Sequence, residues 1–142
     1  QSDIRDTLLQ LAHAGSCCLI TLGLNVTGRR TVLEKHGLAG RFARFDGIEV
    51  DPRRRPAQIR GLGEGDPRAL VVAATDSLIR SAGEAGVFTV GIAAGPCAVA
   101  RLHQGGASVV YKVLHELSAS LLNGAADLVQ AGLRPRSLDP PR

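Results

Sequence analysis

The hydrophobic pattern of the chain begins with an amphipathic helix. Its apolar residues recur at i, i+4, i+7 and i+8, the spacing of one helix face: Ile4, Leu8, Leu11 and Ala12. Gly15 closes this helix, and residues 17–22, CCLITL, form a continuous apolar run of strand length. Asn25 or Thr27 can cap a second helix that ends before Gly37. The chain therefore opens with a helix, a buried strand and another helix.

The rest of the chain repeats this alternation of strands and helices. Apolar runs predict strands at 68–74, 88–94 and 107–112, and RFDGIEV at 44–50 has a weak strand pattern. The run at 68–74, RALVVAA, has the strongest pattern of a buried strand. Helices are predicted at 57–62, 77–85, 96–106 and 113–122. Because parallel strands must be joined by crossovers, apolar strands that alternate with helices indicate an α/β fold, a mostly parallel sheet with helices on both faces.

The chain divides into one α/β domain, residues 1–129, and a Pro-rich tail, residues 130–142, which we predict to be disordered. Ligands of parallel α/β sheets bind beyond the carboxyl ends of the strands. This rule predicts that a ligand would bind at the segments that follow Thr21, Val72 and Ile92.

Composition narrows the class of protein. No apolar run approaches the roughly 20 residues that span a membrane, and QSDIRDTLLQ lacks the pattern of a signal peptide, so we expect a cytoplasmic protein without a membrane partner. The 142 residues contain no Met, which fits a processed product or an excerpt of a longer protein. Three cysteines cannot all pair, and we expect Cys17 and Cys18 to be reduced core residues. The four histidines lack a neighbouring Cys or carboxylate cluster, which argues against a zinc site.

The net charge is +4, and the densest basic run is DPRRRP, which contains Arg53 to Arg55. Such a run is typical of a solvated loop. Binding of single-stranded nucleic acid depends on aromatic stacking, and the chain has only three Phe and one Tyr, so we do not expect a nucleic-acid partner.

Several segments, in the right order, resemble the haloacid dehalogenase (HAD) superfamily in its phosphoglycolate phosphatase and β-phosphoglucomutase-like branch. The strongest are RALVVAATDSLIRSAGEAGVFTVGIAAG at 68–95 and ARLHQGGASVVYKVLHEL at 100–117, which resemble the fourth-motif strand and helix and the segments after them. LITLGL at 19–24 and VLEKHGLAGRF at 32–42 resemble the second-motif strand and its helix. The resemblance implies a three-layer, Rossmannoid HAD-like sheet.

The resemblance also implies a chemistry. Members of the family transfer phosphoryl groups through an Asp nucleophile and an Asp acid/base of the first motif, while fourth-motif carboxylates hold Mg²⁺. Thr21 stands where the family has the hydroxyl that binds the phosphoryl oxygens, and Arg55, before Pro56, stands where it has a phosphate-binding Lys. Thr21 also suits a strand as a β-branched residue, and Arg55 also suits a solvated loop.

The chain departs from the family at the groups that catalyse. Ala74 and Leu78 occupy the acidic positions of the fourth motif, so the Mg²⁺ that the resemblance implies is poorly supported. Asp76 is a candidate metal ligand, although we favour it as the N-cap of the helix that begins at Ser77. The first-motif strand and the cap domain are absent, and the chain therefore contains no predicted catalytic residue.

Two functions are compatible with the sequence. One is a phosphatase-type hydrolase, degenerate or incomplete, that acts on a phosphorylated small molecule when an upstream Asp-x-Asp strand completes it; the isolated chain is then inactive. The other is a non-catalytic HAD-like binding or regulatory module of a larger protein. The turn at 91–96, GIAAGP, can offer backbone N–H groups to an anion, or can simply be a tight turn.

By the resemblance, the missing strand lies between the strands at 17–22 and 70–73. We expect a partner chain or a longer parent protein to fill that place, because unpaired strand edges template association.

Overall fold

The computed structural model describes residues 2–15, 17–22, 26–63, 66 and 68–133. Its helices are α1 (Ser2–Ala14), α2 (Val26–Lys35), α3 (Arg55–Leu62), α4 (Asp76–Glu84), α5 (Pro96–Gly105), α6 (Leu114–Leu122) and α7 (Ala126–Gln130), and a short 3-10 helix covers Ala39–Arg41. Its strands are β1 (Cys18–Leu22), β2 (Arg44–Ile48), β3 (Leu70–Ala73), β4 (Phe88–Ile92) and β5 (Val109–Tyr111). Helices and parallel strands alternate along the chain, which confirms the predicted α/β class.

The strands form two parallel sheets. β1 pairs with β2, with Cys18 opposite Arg44. The second sheet has the order β3, β4, β5, with Leu70 opposite Phe88 and Val90 opposite Val109. Among the described residues the two sheets are not hydrogen-bonded to each other, so the layer of strands is divided into two parts.

Helices cover both faces of this layer. Ile48 of β2 packs with Ile59 of α3 and with Leu78 of α4, which defines the α3 face. Side chains alternate along a strand, so Phe45 points to the opposite side, where the guanidinium of Arg30 in α2 lies 5.3 Å from its ring centroid. We call that side the α2 face.

The second sheet has the same two faces. Val71 packs with Ile48 on the α3 face, and a Cβ on Gly91 would lie 3.1 Å from Cδ1 of Leu102 in α5, so α4 and α5 also cover the α3 face. On the other side, Val90 packs with Leu117 of α6. α1 lies on this α2 face, because Leu11 joins the same cluster and Nη2 of Arg5 donates a hydrogen bond to the carbonyl of His36, just after α2.

Burial is deepest in β4. Thr89 and Val90 are buried, whereas Leu70 and Val71 of β3 are only half-buried and Val72 is exposed. The prediction that 68–74 is the best-buried strand was therefore wrong. The reason is position: β4 lies between two strands, whereas β3 has a sheet neighbour on one side only.

Several element boundaries differ from the sequence prediction. α3 begins at Arg55 and not at Ala57, and α4 begins at Asp76 and not at Ser77. The 3-10 helix and α7 were not predicted. α7 ends at Gln130 and Leu133 is buried, so packed structure continues past the predicted start of the tail, while residues 134–142 lie outside the described part.

Among the described residues, no helix combines the length and the apolar character that crossing a bilayer requires.

Candidate functional site

The candidate residues belong to segments at or beyond the carboxyl ends of the strands. Thr21 lies in β1, opposite Gly47 of β2, and its side chain is outside the described part of the structure. Arg55 is the first residue of α3, after β2, and Asp76 is the first residue of α4, after β3. These positions agree with the edge at which parallel sheets bind ligands.

Arg55 is a buried residue, with 4% of its surface exposed. Its Nε donates a hydrogen bond to the carbonyl of Glu49 at 3.0 Å, its Nη2 donates one to the carbonyl of Val50, and its Nη1 donates one to Oγ of Ser77. The interpretation of Arg55 as a solvated loop charge was therefore wrong. The guanidinium joins the segment after β2 to the first turn of α4.

The burial of this charge distinguishes Arg55 from its neighbours. Arg53 binds Asp51 at 3.2 Å, and Arg54 lies 3.7 Å from Glu49, both at the surface. Among the described residues no carboxylate lies within ion-pair distance of Arg55, whose acceptors are two carbonyls and a hydroxyl. Hydrogen bonds from a charged donor are stronger than neutral ones, and they offset part of the cost of burying the guanidinium.

Asp76 is held by an ion pair. Its Oδ1 accepts a hydrogen bond from Nε of Arg101 in α5 at 2.9 Å, so the carboxylate links the first turn of α4 to the next helix. The expectation that Asp76 caps α4 was wrong, because the cap position is Thr75, whose side chain makes no capping bond. A carboxylate in the first turn still interacts favourably with the positive end of the helix.

The surroundings of Asp76 contain few metal ligands. Ala74 is exposed and Leu78 packs into the apolar clusters under α4. Within the described ranges, no group of three or more His, Cys, Asp or Glu side chains is placed to hold a metal ion. Mg²⁺ prefers six oxygen ligands in octahedral geometry, and the described protein groups around Asp76 do not supply such a set.

The turn after β4 is partly used by the sheet itself. The N–H of Ala93 donates a 2.8 Å hydrogen bond to the carbonyl of Tyr111, which continues the pairing of β4 with β5. Gly95 precedes α5, and Pro96 occupies its first turn, as predicted. The N–H of Ala93 is thus not free for an anion, and anion binding by the remainder of this turn stays a prediction.

A polar cluster that the sequence did not indicate lies at the carboxyl end of β5. The hydroxyl of Tyr111 donates a 2.5 Å hydrogen bond to Oδ2 of Asp127, and Oγ of Ser120 donates one to Oδ1 of the same carboxylate. Burial and the hydrogen bond to Asp127 raise the pKa of Tyr111 to about 12. Burial also acts to raise the pKa of Asp127, but the hydrogen bonds from Ser120 and Tyr111 outweigh it and hold that pKa below its ordinary value. This cluster links β5, α6 and α7.

The cysteines are free thiols. Sγ of Cys18 lies 3.2 Å from Oδ2 of Asp46, to which it donates a hydrogen bond, and burial together with this neighbour raises the pKa of the thiol. Burial alone raises the pKa of Cys17. Cys97, in α5, is exposed. The two adjacent cysteines thus have reduced nucleophilic character.

A surface groove of about 260 Å³ lies at the opposite, amino edge of β3 and β4. Nε of Arg60 donates a hydrogen bond to the carbonyl of Ala85 in its wall. The lining residues are Arg60, Gly63, Asp66, Ala69, Ala85, Gly86, Val87 and Phe88. The groove is therefore separate from the edge that holds Arg55 and Asp76.

Comparison with known proteins adds no assignment: no family model matches the sequence, and no curated protein matches it significantly. The fold is an α/β arrangement of parallel strands and helices, and such folds support many unrelated functions.

Proposed function

We propose that this chain is a degenerate HAD-like phosphatase domain that acts as a binding or regulatory module and does not hydrolyse phosphate esters by itself. One observation carries the proposal: Arg55 and Asp76, the described candidate ligands of phosphate and metal, are each engaged in contacts within the chain. Catalysis of phosphoryl transfer depends on charged groups that are free to meet the substrate and the metal.

The contacts of Arg55 argue against direct phosphate binding in this conformation. A phosphoryl group would have to reach a guanidinium that is 4% exposed, and would compete with the carbonyls of Glu49 and Val50 and the hydroxyl of Ser77. Arg also differs from Lys in shape. Its planar guanidinium can donate hydrogen bonds to several fixed acceptors at once. The contacts of Arg55 thus suit a structural role, in which its side chain holds two segments together, better than they suit reversible binding of a substrate.

The metal side of the site supports the same conclusion. The Mg²⁺ that the resemblance implies does not fit the described residues, because Asp76 is paired with Arg101 and neither Ala74 nor Leu78 carries an oxygen ligand in its side chain. Asp76 as a metal ligand therefore requires further carboxylates from elsewhere.

The partners of such a module are a phosphorylated small molecule, a second copy of the chain or a larger parent protein. A cytoplasmic location suits the chain, since three free cysteines fit a reducing compartment.

The proposal is tested by assaying the full chain with Mg²⁺ and an aryl phosphate. We expect no metal-dependent hydrolysis above the rate without protein. Turnover that is abolished both by a chelator and by Thr21→Val would contradict the proposal, because it would require a working phosphate site in the chain.

A second candidate is a hydrolase completed by an Asp-x-Asp strand from outside the chain. It is favoured by the position of Arg55, which brings a positive charge to Ser77 in the first turn of α4, close to where the family holds phosphate and metal. In that enzyme Thr21 and Arg55 would hold the phosphoryl group. Adding an Asp-x-Asp strand in front of Ser2 and repeating the assay distinguishes the two candidates, since a degenerate module stays inactive.

A further inference from the structure

The groove at the amino edge of β3 and β4 lies at the carboxyl ends of two helices. Gly63, just after α3, and Ala85, just after α4, both line it. Ile59 of α3 and Ala85 belong to one apolar cluster, so packing fixes the two helix ends next to each other. A helix carboxyl end carries a partial negative charge and carbonyls that have no partner inside the helix. This wall of the groove therefore favours positively charged groups.

Arg60 brings a guanidinium to this wall. The residue lies in the last turn of α3 and is exposed, and its Nε donates a 3.1 Å hydrogen bond to the carbonyl of Ala85. Within the described part of the chain, the side chain of Arg60 makes no other hydrogen bond. Its two Nη atoms can therefore donate parallel hydrogen bonds to a carboxylate, the geometry in which arginine binds that group most strongly.

Asp66 adds the opposite charge to the same groove. It is exposed, and its Oδ1 accepts a 2.8 Å hydrogen bond from the N–H of Arg68, which orients the carboxylate. Among the described residues, neither Asp66 nor Arg60 forms an ion pair, with the other or with a third group. A carboxylate accepts several hydrogen bonds, so Oδ2 of Asp66 can accept one from an ammonium group. The groove thus contains two opposite charges that do not neutralise each other.

The rest of the lining is small or apolar. Ala69, Val87 and Phe88 are half-buried residues around the starts of β3 and β4, and Gly63 and Gly86 add no side chain. The volume of about 260 Å³ lies just below the range of roughly 300–1,000 Å³ that is typical of sites for drug-sized ligands. The groove therefore suits a smaller molecule that has an apolar part.

We propose that this groove binds a free, zwitterionic amino acid with an apolar side chain. The guanidinium of Arg60 binds the carboxylate of the ligand, Oδ2 of Asp66 binds its ammonium group, and Val87 and Phe88 contact its side chain. A ligand with both charges matches both groups, whereas a simple anion would be repelled by Asp66 and a simple cation by Arg60. The inference goes beyond the proposed function, because the groove lies at the opposite edge from the candidate phosphate and metal residues.

Leucine and two blocked forms of it test the proposal on the full chain. N-acetyl-leucine keeps the carboxylate but has no ammonium group, and leucinamide keeps the ammonium group but has no carboxylate. Each is titrated at about pH 6, where a free α-amine is protonated, and binding is followed by NMR at the backbone amides. We expect shifts at residues 60–63, 69 and 85–88. Leucine should bind about three- to fivefold more tightly than either blocked form, the contribution of one exposed ion pair.

Two variants that remove a charge assign the groups of the ligand. Arg60→Gln should weaken the binding of leucine and of N-acetyl-leucine by about three- to fivefold, but not that of leucinamide. Asp66→Asn should weaken the binding of leucine and of leucinamide, but not that of N-acetyl-leucine. Asp51→Asn is the matched control, because Asp51 also accepts a hydrogen bond from the N–H two residues later but follows β2 at the carboxyl edge. It should change none of the three affinities.

Three results with the unmodified chain would overturn the proposal, even if a variant failed to fold. Leucine could cause no saturable shifts up to about 50 mM, its shifts could centre on the carboxyl edge, or a blocked form could bind as tightly as leucine. Folded Arg60 and Asp66 variants that bind all three probes as the wild-type chain does would also overturn it. None of these results bears on the hydrolysis assay, so the failure of this inference and that of the proposed function are distinguishable.

Discussion

Nη1 of Arg55 donates a hydrogen bond to Oγ of Ser77. This contact joins α3 to α4, two helices that β3 separates along the chain. The same guanidinium holds the carbonyls of Glu49 and Val50. A residue from a run of three arginines thereby becomes part of the framework at the carboxyl edge of the layer.

Arg55→Ala should lower the free energy of unfolding by about 1.5–3 kcal/mol, because it removes the charge-assisted hydrogen bonds by which a buried guanidinium joins the segment after β2 to α4. Urea denaturation followed by circular dichroism measures the change. Arg55→Lys should lose a smaller part of the stability, since one ammonium cannot reach all three acceptors in the same geometry.

Arg53→Ala is the matched control, because Arg53 lies two residues away and pairs with Asp51 at the surface. Its loss should change the free energy of unfolding by no more than about 0.5 kcal/mol. Equal effects of the Arg53 and Arg55 substitutions would refute a framework role for Arg55.

Two glycine substitutions should act in opposite directions. A Cβ on Gly91 would lie 3.1 Å from Cδ1 of Leu102 and 3.3 Å from Cγ2 of Val110, so Gly91→Ala should destabilise the protein by about 1–3 kcal/mol. Gly83, in α4, is exposed and would meet no atom within 4 Å, so Gly83→Ala should stabilise it by up to about 1 kcal/mol. Thermal unfolding of both variants and of the wild-type protein measures the two changes in stability. A loss of stability in Gly83→Ala would contradict the helix assigned there.

Tyr111 permits a direct test of the polar cluster, since it is the single tyrosine of a chain without tryptophan. Its phenolate absorbance should appear with a midpoint near pH 12, above the ordinary 10. Because the folded state binds this proton more tightly than the unfolded state, the stabilisation is complete below pH 10 and declines as the pH rises towards 12.

Asp127→Asn is the companion variant for that titration. It removes the negative acceptor of the Tyr111 hydroxyl but leaves the burial, so the midpoint should fall to a value between 10 and 12. Circular dichroism at each pH verifies that the chain is folded. A folded wild-type protein that titrates at pH 10 would show that the cluster does not form.

The three thiols should differ in reactivity. Cys97 is exposed, whereas burial raises the pKa of Cys17 and of Cys18 and so lowers their thiolate fraction at pH 8. Iodoacetamide should therefore modify Cys97 first, as followed by peptide mass spectrometry. Cys97→Ser should abolish the fast phase, and a fast reaction at Cys18 would argue against its contact with Asp46.

Local sequence patterns predicted the elements well because strands and helices leave periodic signals. The continuous apolar run CCLITL and the Pro at the start of PCAVARLHQGG gave β1 and the start of α5 correctly. Burial of β3 was overestimated, because it depends on the neighbours of the strand and not on its own residues. The apolar pattern of LVVA is that of an interior strand, but the structure gives it a neighbour on one side.

The candidate site was harder to predict, because its residues look like their neighbours in sequence. Arg55 differs from Arg53 and Arg54 only in the contacts that folding brings to it, although Pro56 in the first turn of α3 was a usable sign that a helix begins there. The position of Asp127 depends on Ala125, which adopts the left-handed backbone conformation with φ of 59° before α7. Alanine rarely occupies that region, so no local signal pointed to the Tyr111 cluster.

The division of the central layer also separates the molecule into two parts that differ in the extent of their hydrophobic cores. Two of the three apolar clusters, those around Leu102 and Val90, draw almost all their members from residues 68–133, and their contacts connect elements that follow one another along the chain. Among the described residues, β2 contributes the buried Ile48 and β1 the half-buried Ile20 to the third cluster, and α2 contributes no residue to any of the three. Local unfolding of this first half can therefore proceed while the second half keeps its core, so that residues 68–133 form the last cooperative unit to open and the natural place for folding to begin.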